Sequence, residues 1–290
     1  MRSAMPKPED ERSLLQLERP SSAAEAVAAL ADGRALAGGT ELVPLLRDGI
    51  VAAETLVDVR DAVPRGISGR TIGAGTTLAE LESSAEIPAA LREACRLAAS
   101  PQLRNMGSIG GNLLQATRCW YWRLKFPCRL HDGDICHAQQ GQHREHAFFG
   151  NDFCASAHPS DPAAALLAIG ATLRTDRREL DLAELYRLPT EDDRSTTTLA
   201  PDELILELEL PEVEASAYLK AMDRQRWAFA LVGVAAARVA GETRIALSGA
   251  APIPWLLSAP EELDRATPLV GTAFKVEIAR TLVARATAAL

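Results

Sequence analysis

The stretch from residue 115 to residue 158 constrains this chain more than any other. It holds Cys119, Cys128, Cys136 and Cys154, together with all five histidines: His131, His137, His143, His146 and His158. It has little apolar periodicity, so it offers neither a helix stripe nor a strand face to a core. A loop this long inside a compact domain is usually functional. The sequence on either side reads as ordinary folded protein, which makes the stretch an insertion into a domain.

Before the insertion, helix and strand signals alternate. Ser22 and Glu25 form a capping-box pattern opening an alanine-rich helix that Gly33 can end. Residues 34–37 predict a short buried strand, and a helix with Leu42, Leu45 and Leu46 follows. Residues 55–59 and 71–75 predict strands, and Thr77 with Glu80 repeats the capping pattern. After the insertion come a helix over 162–169 and a strand over 171–175. The polar run 187–202, with Pro189 and Pro201, predicts a boundary. Beyond it, Leu204, Leu206, Leu208 and Leu210 alternate on one strand face. Strands over 229–239 and 243–248 and a helix over 274–289 complete an α+β ordering.

Two glycine loops carry a phosphate signal. Ala37-Gly38-Gly39-Thr40-Glu41-Leu42 follows a strand and opens a helix. Gly107-Ser108-Ile109-Gly110-Gly111-Asn112 offers a second cradle, with Ser108 and Asn112 as side-chain donors. Glycines let backbone N–H groups approach an anion closely, and a helix N-terminus favours negative charge. Neither loop matches the Rossmann or P-loop fingerprint, which disfavours those mononucleotide folds.

The four insertion cysteines are separated by gaps of 8, 7 and 17 residues. Thiolates so arranged suit a 4Fe-4S cluster or tetrahedral zinc, and no pair has the two-residue spacing of zinc ribbons or bacterial ferredoxins. Trp120-Tyr121-Trp122 follows Cys119, where aromatics can exclude water or anchor the loop. An odd total of five cysteines fits reduced thiolate ligands better than a disulfide framework. Cys95 stands apart on a predicted helix and reads as a small core residue.

A net charge of −8 argues against a nucleic-acid partner. No apolar run reaches the roughly 20 residues of a membrane helix. The charged start, residues 1–12, lacks an export signal's apolar segment, so a cytoplasmic location is expected unless a partner carries such a signal.

Both glycine loops, in this order, resemble the FAD-binding medium subunits of the molybdenum hydroxylases, the xanthine dehydrogenase and carbon monoxide dehydrogenase family. The cysteine insertion and the tail Ala157-His158-Pro159-Ser160-Asp161 resemble one branch, that of the 4-hydroxybenzoyl-CoA reductase β subunits and periplasmic aldehyde oxidoreductase flavin subunits. The likeness continues through Tyr218-Leu219-Lys220, residues 224–232, Gly249-Ala250-Ala251-Pro252 and residues 268–285. It runs from about residue 14 to the end. Ser108 stands where threonine is usual, and the stretch between Trp255 and Pro268 is shorter by about a helix.

That resemblance implies an α+β, two-subdomain FAD-binding fold of the vanillyl-alcohol-oxidase type over residues 10–186. The subdomains would span about 10–65 and 66–186, and a small C-terminal α+β domain 187–290. It implies that Ala37, Gly38, Gly39, Thr40, Glu41 and Leu42, with Ser108, Ile109, Gly110, Gly111 and Asn112, contact the FAD pyrophosphate. Ser160 and Asp161 would reach the ribose and phosphate region, and Arg224, Trp227 and Leu231 the flavin. Cys119, Cys128, Cys136 and Cys154 would ligate a 4Fe-4S cluster. No catalytic acid, base or nucleophile is required. The implied partners are a large molybdenum-cofactor subunit and a small 2Fe-2S subunit. Two rival readings are a self-sufficient flavin oxidase and a zinc-stapled assembly subunit without catalysis.

Overall fold

The computed structural model describes residues 15–224 and 229–290. Its first sheet is parallel, with β1 (Gln16–Glu18), β2 (Gly33–Leu36) and β3 (Thr55–Asp58) in the order β1-β3-β2. Parallel pairing demands crossovers, and α1 (Ala23–Ala29) and α2 (Leu42–Arg47) lie in them. Ser22 caps α1 by accepting from the Glu25 N–H, but the predicted capping box does not close, because Glu25 Oε2 accepts from Ser21 instead.

The second sheet is antiparallel, with β4 (Ile67–Ser68), β5 (Thr71–Gly73), β6 (Thr172–Thr175), β7 (Glu179–Asp181) and β8 (Ile205–Glu209) in the order β4-β5-β8-β6-β7. Between β5 and β6 run α3 (Leu78–Ser83), α4 (Ala89–Leu97), α5 (Pro101–Arg104) and α6 (Ile109–Leu113), then α7 (Trp120–Arg123) and α8 (His137–Gln140) in the insertion, and α9 (Asp161–Ile169). Thr77 and Glu80 close a full capping box on α3. All nine residues of α9 are buried, as expected of an apolar helix enclosed on every side. A short helix, α10 (Leu182–Leu185), follows β7.

β8 differs from the expected partition. Its alternation predicts a strand beyond a boundary near residue 187, but it pairs between β5 and β6. Periodicity defines a strand, not its partners. The polar run 187–202 is a surface connection within one sheet, and the next sheet begins after Glu209.

That third sheet is antiparallel: β9 (Ala215–Ala221), β10 (Val232–Val239), β11 (Glu242–Ser248) and β12 (Trp255–Leu257), in the order β12-β11-β10-β9. Successive side chains of β10 point to opposite faces. Ala235 and Ala237 pack into the core built on α4 and α9. Val232, Val234 and Ala236 pack into a second core with α11 (Ala273–Ala288). β10 thus joins the antiparallel unit to the C-terminal layer. Cys95 is fully buried on α4 and belongs to the first of these cores.

Candidate functional site

The two glycine loops touch. A Cβ on Gly38 would lie 1.7 Å from the Met106 carbonyl oxygen, so only glycine permits this backbone crossing. A Cβ on Gly107 would come within 3.4 Å of Thr40 Oγ1. The loops differ in what they can offer an anion. In the second, the N–H groups of Ile109 and Gly110 donate to Thr76 and Ala74 carbonyls, and Gly111 donates to Ser108 Oγ. In the first, among the described residues, the N–H groups of Gly38, Gly39, Thr40 and Glu41 donate to no protein acceptor. Four successive unengaged donors, with Gly39 at φ +69°, form the kind of backbone nest that binds phosphate. Gly111 is exposed, and a Cβ there would meet only Ser108 Oγ, at 3.1 Å. The second loop therefore offers no free backbone donor at Ile109, Gly110 or Gly111.

A third segment closes on these loops. Ser160 caps α9 by accepting from the Ala163 N–H and donates its own hydroxyl to Asn112 Oδ1 at 2.6 Å. Asp161 turns the other way. Its Oδ1 accepts from Tyr218 Oη and Ser248 Oγ, and its Oδ2 accepts from Lys220 Nζ at 2.6 Å. The Lys220 and Asp161 side chains are 1% and 2% exposed, so this ion pair pins α9 to the third sheet. The Tyr218 hydroxyl is pushed well above its ordinary value by burial and by Asp161. His158 is fully enclosed, accepts from the Ser160 N–H at Nδ1, and is pushed down to about 3 by burial.

Glu41 connects the nest to the insertion. Its Oε1 accepts from Arg123 Nη2 at 2.5 Å and from the Ala116 N–H. Arg118 Nη2 lies 2.7 Å from Oε2, an ionic contact rather than an aligned hydrogen bond, since that oxygen accepts none. Arg118 also stacks 4.7 Å over the Phe229 ring and lines a cleft. Other walls of the cleft are Cys119, Trp120, His146, Pro159, Arg224, Leu231 and Gly249. Three layers of the molecule therefore meet there: the insertion, the return to α9, and the loop between β9 and β10. Trp227, expected near the flavin, lies outside the described residues.

All four insertion cysteines line one small cavity, with Tyr121, Trp122 and Ala138 among its walls. Burial pushes the Cys119 thiol up to about 11, against the backbone N–H groups of Trp122 and Tyr121 that favour its thiolate. Burial likewise raises Cys128, opposed by N–H groups of Leu130 and His131. Cys136 and Cys154 share a hydrogen bond that draws Cys136 down to about 5 and raises Cys154. The Ala155 N–H donates to Cys136 Sγ, and the Ser156 N–H favours the Cys154 thiolate. Every sulfur thus has backbone donors suited to a thiolate, and a bound cationic core would offset the burial penalty.

The histidines face elsewhere. His131 Nε2 meets the Trp122 carbonyl, His137 Nε2 the Pro127 carbonyl, and His143 bridges the Ala138 carbonyl and the Gly271 N–H. Only His146 reaches a cysteine, with Nε2 3.3 Å from Cys119 Sγ. Burial, with Lys275 beside it, pushes His146 down to about 4, so its ring is neutral. Among the described residues, no three His, Cys, Asp or Glu side chains are drawn close enough to hold a single ion.

The expected site residues thus fall into groups. Residues 37–42 touch the second glycine loop at Met106 and Gly107, Ser160 bonds that loop at Asn112, Arg224 and Leu231 line the cleft, and the four cysteines surround their own cavity. The carboxylates of Asp161 and Glu41 are engaged by protein cations. Sequence reasoning passed over Arg118, Arg123, His146 and Lys220. The basic residues flanking Cys119 were a visible signal, but nothing in their spacing pointed to Glu41.

Four free backbone donors at residues 38–41, linked through Glu41 and Arg118 to a cleft, are an arrangement of the kind that suits a phosphate-bearing cofactor. Residues 13–213 match the family described as "FAD binding domain in molybdopterin dehydrogenase". The chain is 35% identical over 265 residues to the aldehyde oxidoreductase FAD-binding subunit PaoB of Escherichia coli, covering 85% of this chain and 83% of that one. It is 42% identical over 106 residues to the carbon monoxide dehydrogenase medium chain of Afipia carboxidovorans, covering 32% of this chain and 37% of that one. A solved carbon monoxide dehydrogenase from Hydrogenophaga pseudoflava, lacking the Mo-pyranopterin moiety, superposes with a TM-score of 0.67 at 25% identity. That match covers 95% of this chain and 96% of the other. The chain belongs to the FAD-binding subunits of the molybdopterin dehydrogenases, which are FAD-dependent oxidoreductases.

Proposed function

We propose that this chain is the FAD-binding electron-transfer subunit of a molybdenum hydroxylase complex. A large molybdenum-cofactor subunit and a small 2Fe-2S subunit would be its partners, and the four insertion cysteines would hold a 4Fe-4S cluster. It would work in the cytoplasm unless a partner carries an export signal. The observation that carries this reading is the wall at Cys119, which the cleft and the cysteine cavity share. Two cofactor sites with a common wall suit electron transfer between them.

The protein's part is to bind, orient and insulate. The N–H groups of residues 38–41 would hold the pyrophosphate. Ser160 keeps Asn112 in place beside them. Arg118, with Phe229 against it, would fix the cleft end of the cofactor and offset negative charge there. Trp120 and Leu231 line the cleft and would help exclude water from it. Bound FAD supplies the capacity to take up and release one or two electrons.

Cysteine-only ligation is supported by the histidines, four of which hydrogen-bond to the backbone instead. Anaerobically purified protein should release FAD on denaturation and contain about four irons per chain, the content of a cubane site. One zinc without iron overturns the cluster. Turnover of aldehydes, purines or aromatic thioesters by this chain alone overturns the subunit reading in favour of a self-sufficient oxidase.

A further inference from the structure

We propose that His146 donates its Nε2–H to the Cys119 thiolate and so sets the reduction potential of the cofactor held by the four cysteines. This rests on the reading of that cavity as a 4Fe-4S site. Nε2 is 3.3 Å from Sγ, and a ligating thiolate can only accept, which puts the proton on Nε2.

The ring is held in place. His146 is 2% exposed, its backbone N–H donates to the His143 carbonyl, and its carbonyl accepts from Lys275 Nζ at 2.7 Å. Its Nδ1 is buried with the His143 backbone beside it but makes no aligned hydrogen bond, so the sulfur is the ring's one aligned hydrogen-bond partner among the described residues. A histidine kept for packing uses its nitrogens on the backbone, as His143 does at both ends. His146 leaves one nitrogen unsatisfied and aims the other at a cysteine.

The position is selective as well. Of the four cysteines, Cys119 alone lines both the cysteine cavity and the flavin cleft, and His146 lines that cleft beside it. Cys119 also has the backbone N–H groups of Tyr121 and Trp122. Each hydrogen bond to a ligand sulfur favours the more negative, reduced state of a cluster and raises its potential. His146 adds the side-chain donor to that set.

The test is an EPR-monitored redox titration of anaerobic holoprotein, with iron analysis, on wild type, His146→Leu and His146→Gln. We expect both variants to keep about four irons. At a fixed solution potential, the reduced-to-oxidised ratio should fall about tenfold in His146→Leu, or about 59 mV for a one-electron couple. His146→Gln, which keeps an N–H donor, should fall between. Ratios matching wild type in every variant that retains iron overturn the proposal, as does a shift to higher potential. Loss of iron from both variants also overturns it, making His146 a ligand or a prop. A wild-type protein without iron is a different failure, that of the cluster reading itself.

Discussion

The glycine nest and the cysteine cavity meet at Arg118 and Cys119, yet they are ordered by different means. The nest is held by backbone. Its loops cross at Gly38 and Met106, and the second loop is tied to Ala74 and Thr76 by main-chain bonds above a large apolar core. From Cys119 to Ala138 the cysteine loop has only a small core, with Cys136, Ala138 and Ala155 buried and Tyr121 and Leu269 packed on them, whereas Phe148 and Phe149 further along join the C-terminal core. On the proposed reading, a cofactor would be an addition to the first region and a structural member of the second. Preorganised backbone can wait for its ligand, whereas a stretch with so small a core would lean on a cofactor held by its cysteines.

The largest expected effect follows from that contrast. Cys136→Ala should lose the iron completely and leave residues 119–154 open to proteolysis, while FAD stays bound. Cys95→Ala, in the core of α4, should leave the iron intact. Iron analysis, flavin release and limited proteolysis on one preparation check all three. If Cys136→Ala loses FAD together with iron, the two regions form one cooperative unit and the contrast fails.

The joint between the nest and the third sheet comes next. Asp161→Asn leaves the Lys220 ammonium buried with no compensating charge, which should cost about 3–5 kcal/mol. Denaturant unfolding of FAD-free protein measures it. A weaker grip on FAD with unchanged stability would instead mean that the carboxylate faces the ligand.

Gly111→Leu separates the regions from the other side. The new side chain meets only Ser108 Oγ nearby, so it should grow into the mouth of the nest. FAD affinity should fall at least tenfold, about 1.4 kcal/mol, with iron content unchanged. Full flavin occupancy in this variant would remove the second loop from the site.

Much of this was legible in the residues. The Ser22 and Thr77 caps, α9, β10 and β11 come from local rules, and local rules hold where an element's own side chains decide it. The glycine loops and the four cysteines announced themselves because few structures need such residues together. Long-range pairing was not legible. Leu204 to Leu210 alternate as a strand should, but nothing in them says that β5 and β6 are the partners. Asp161 sits where a ligand contact would be expected, and only the fold brings Tyr218, Lys220 and Ser248 onto its oxygens. Arg118 and Arg123 lie some 80 positions from Glu41, a pairing that spacing cannot encode.

The smallest effect concerns pH and the segment that returns from the cysteines to the nest. His158 is enclosed against the Tyr186 ring, its Nδ1 accepts from the Ser160 N–H, and it makes a hydrogen bond with the Leu113 backbone. Burial pushes it from 6.5 down to about 3, so the folded protein keeps it neutral where the unfolded chain is protonated. Its contribution to stability is complete above pH 6.5 and is lost as pH falls from there toward 3. His158→Gln can keep both hydrogen bonds and does not titrate. Relative to that variant, wild type should lose up to about 1.4 kcal/mol per pH unit below 6. Unfolding midpoints at pH 7, 6 and 5 give the slope. Parallel curves would mean that His158 is protonated in the folded state, and acid sensitivity would then have to come from the cysteine side of the joint.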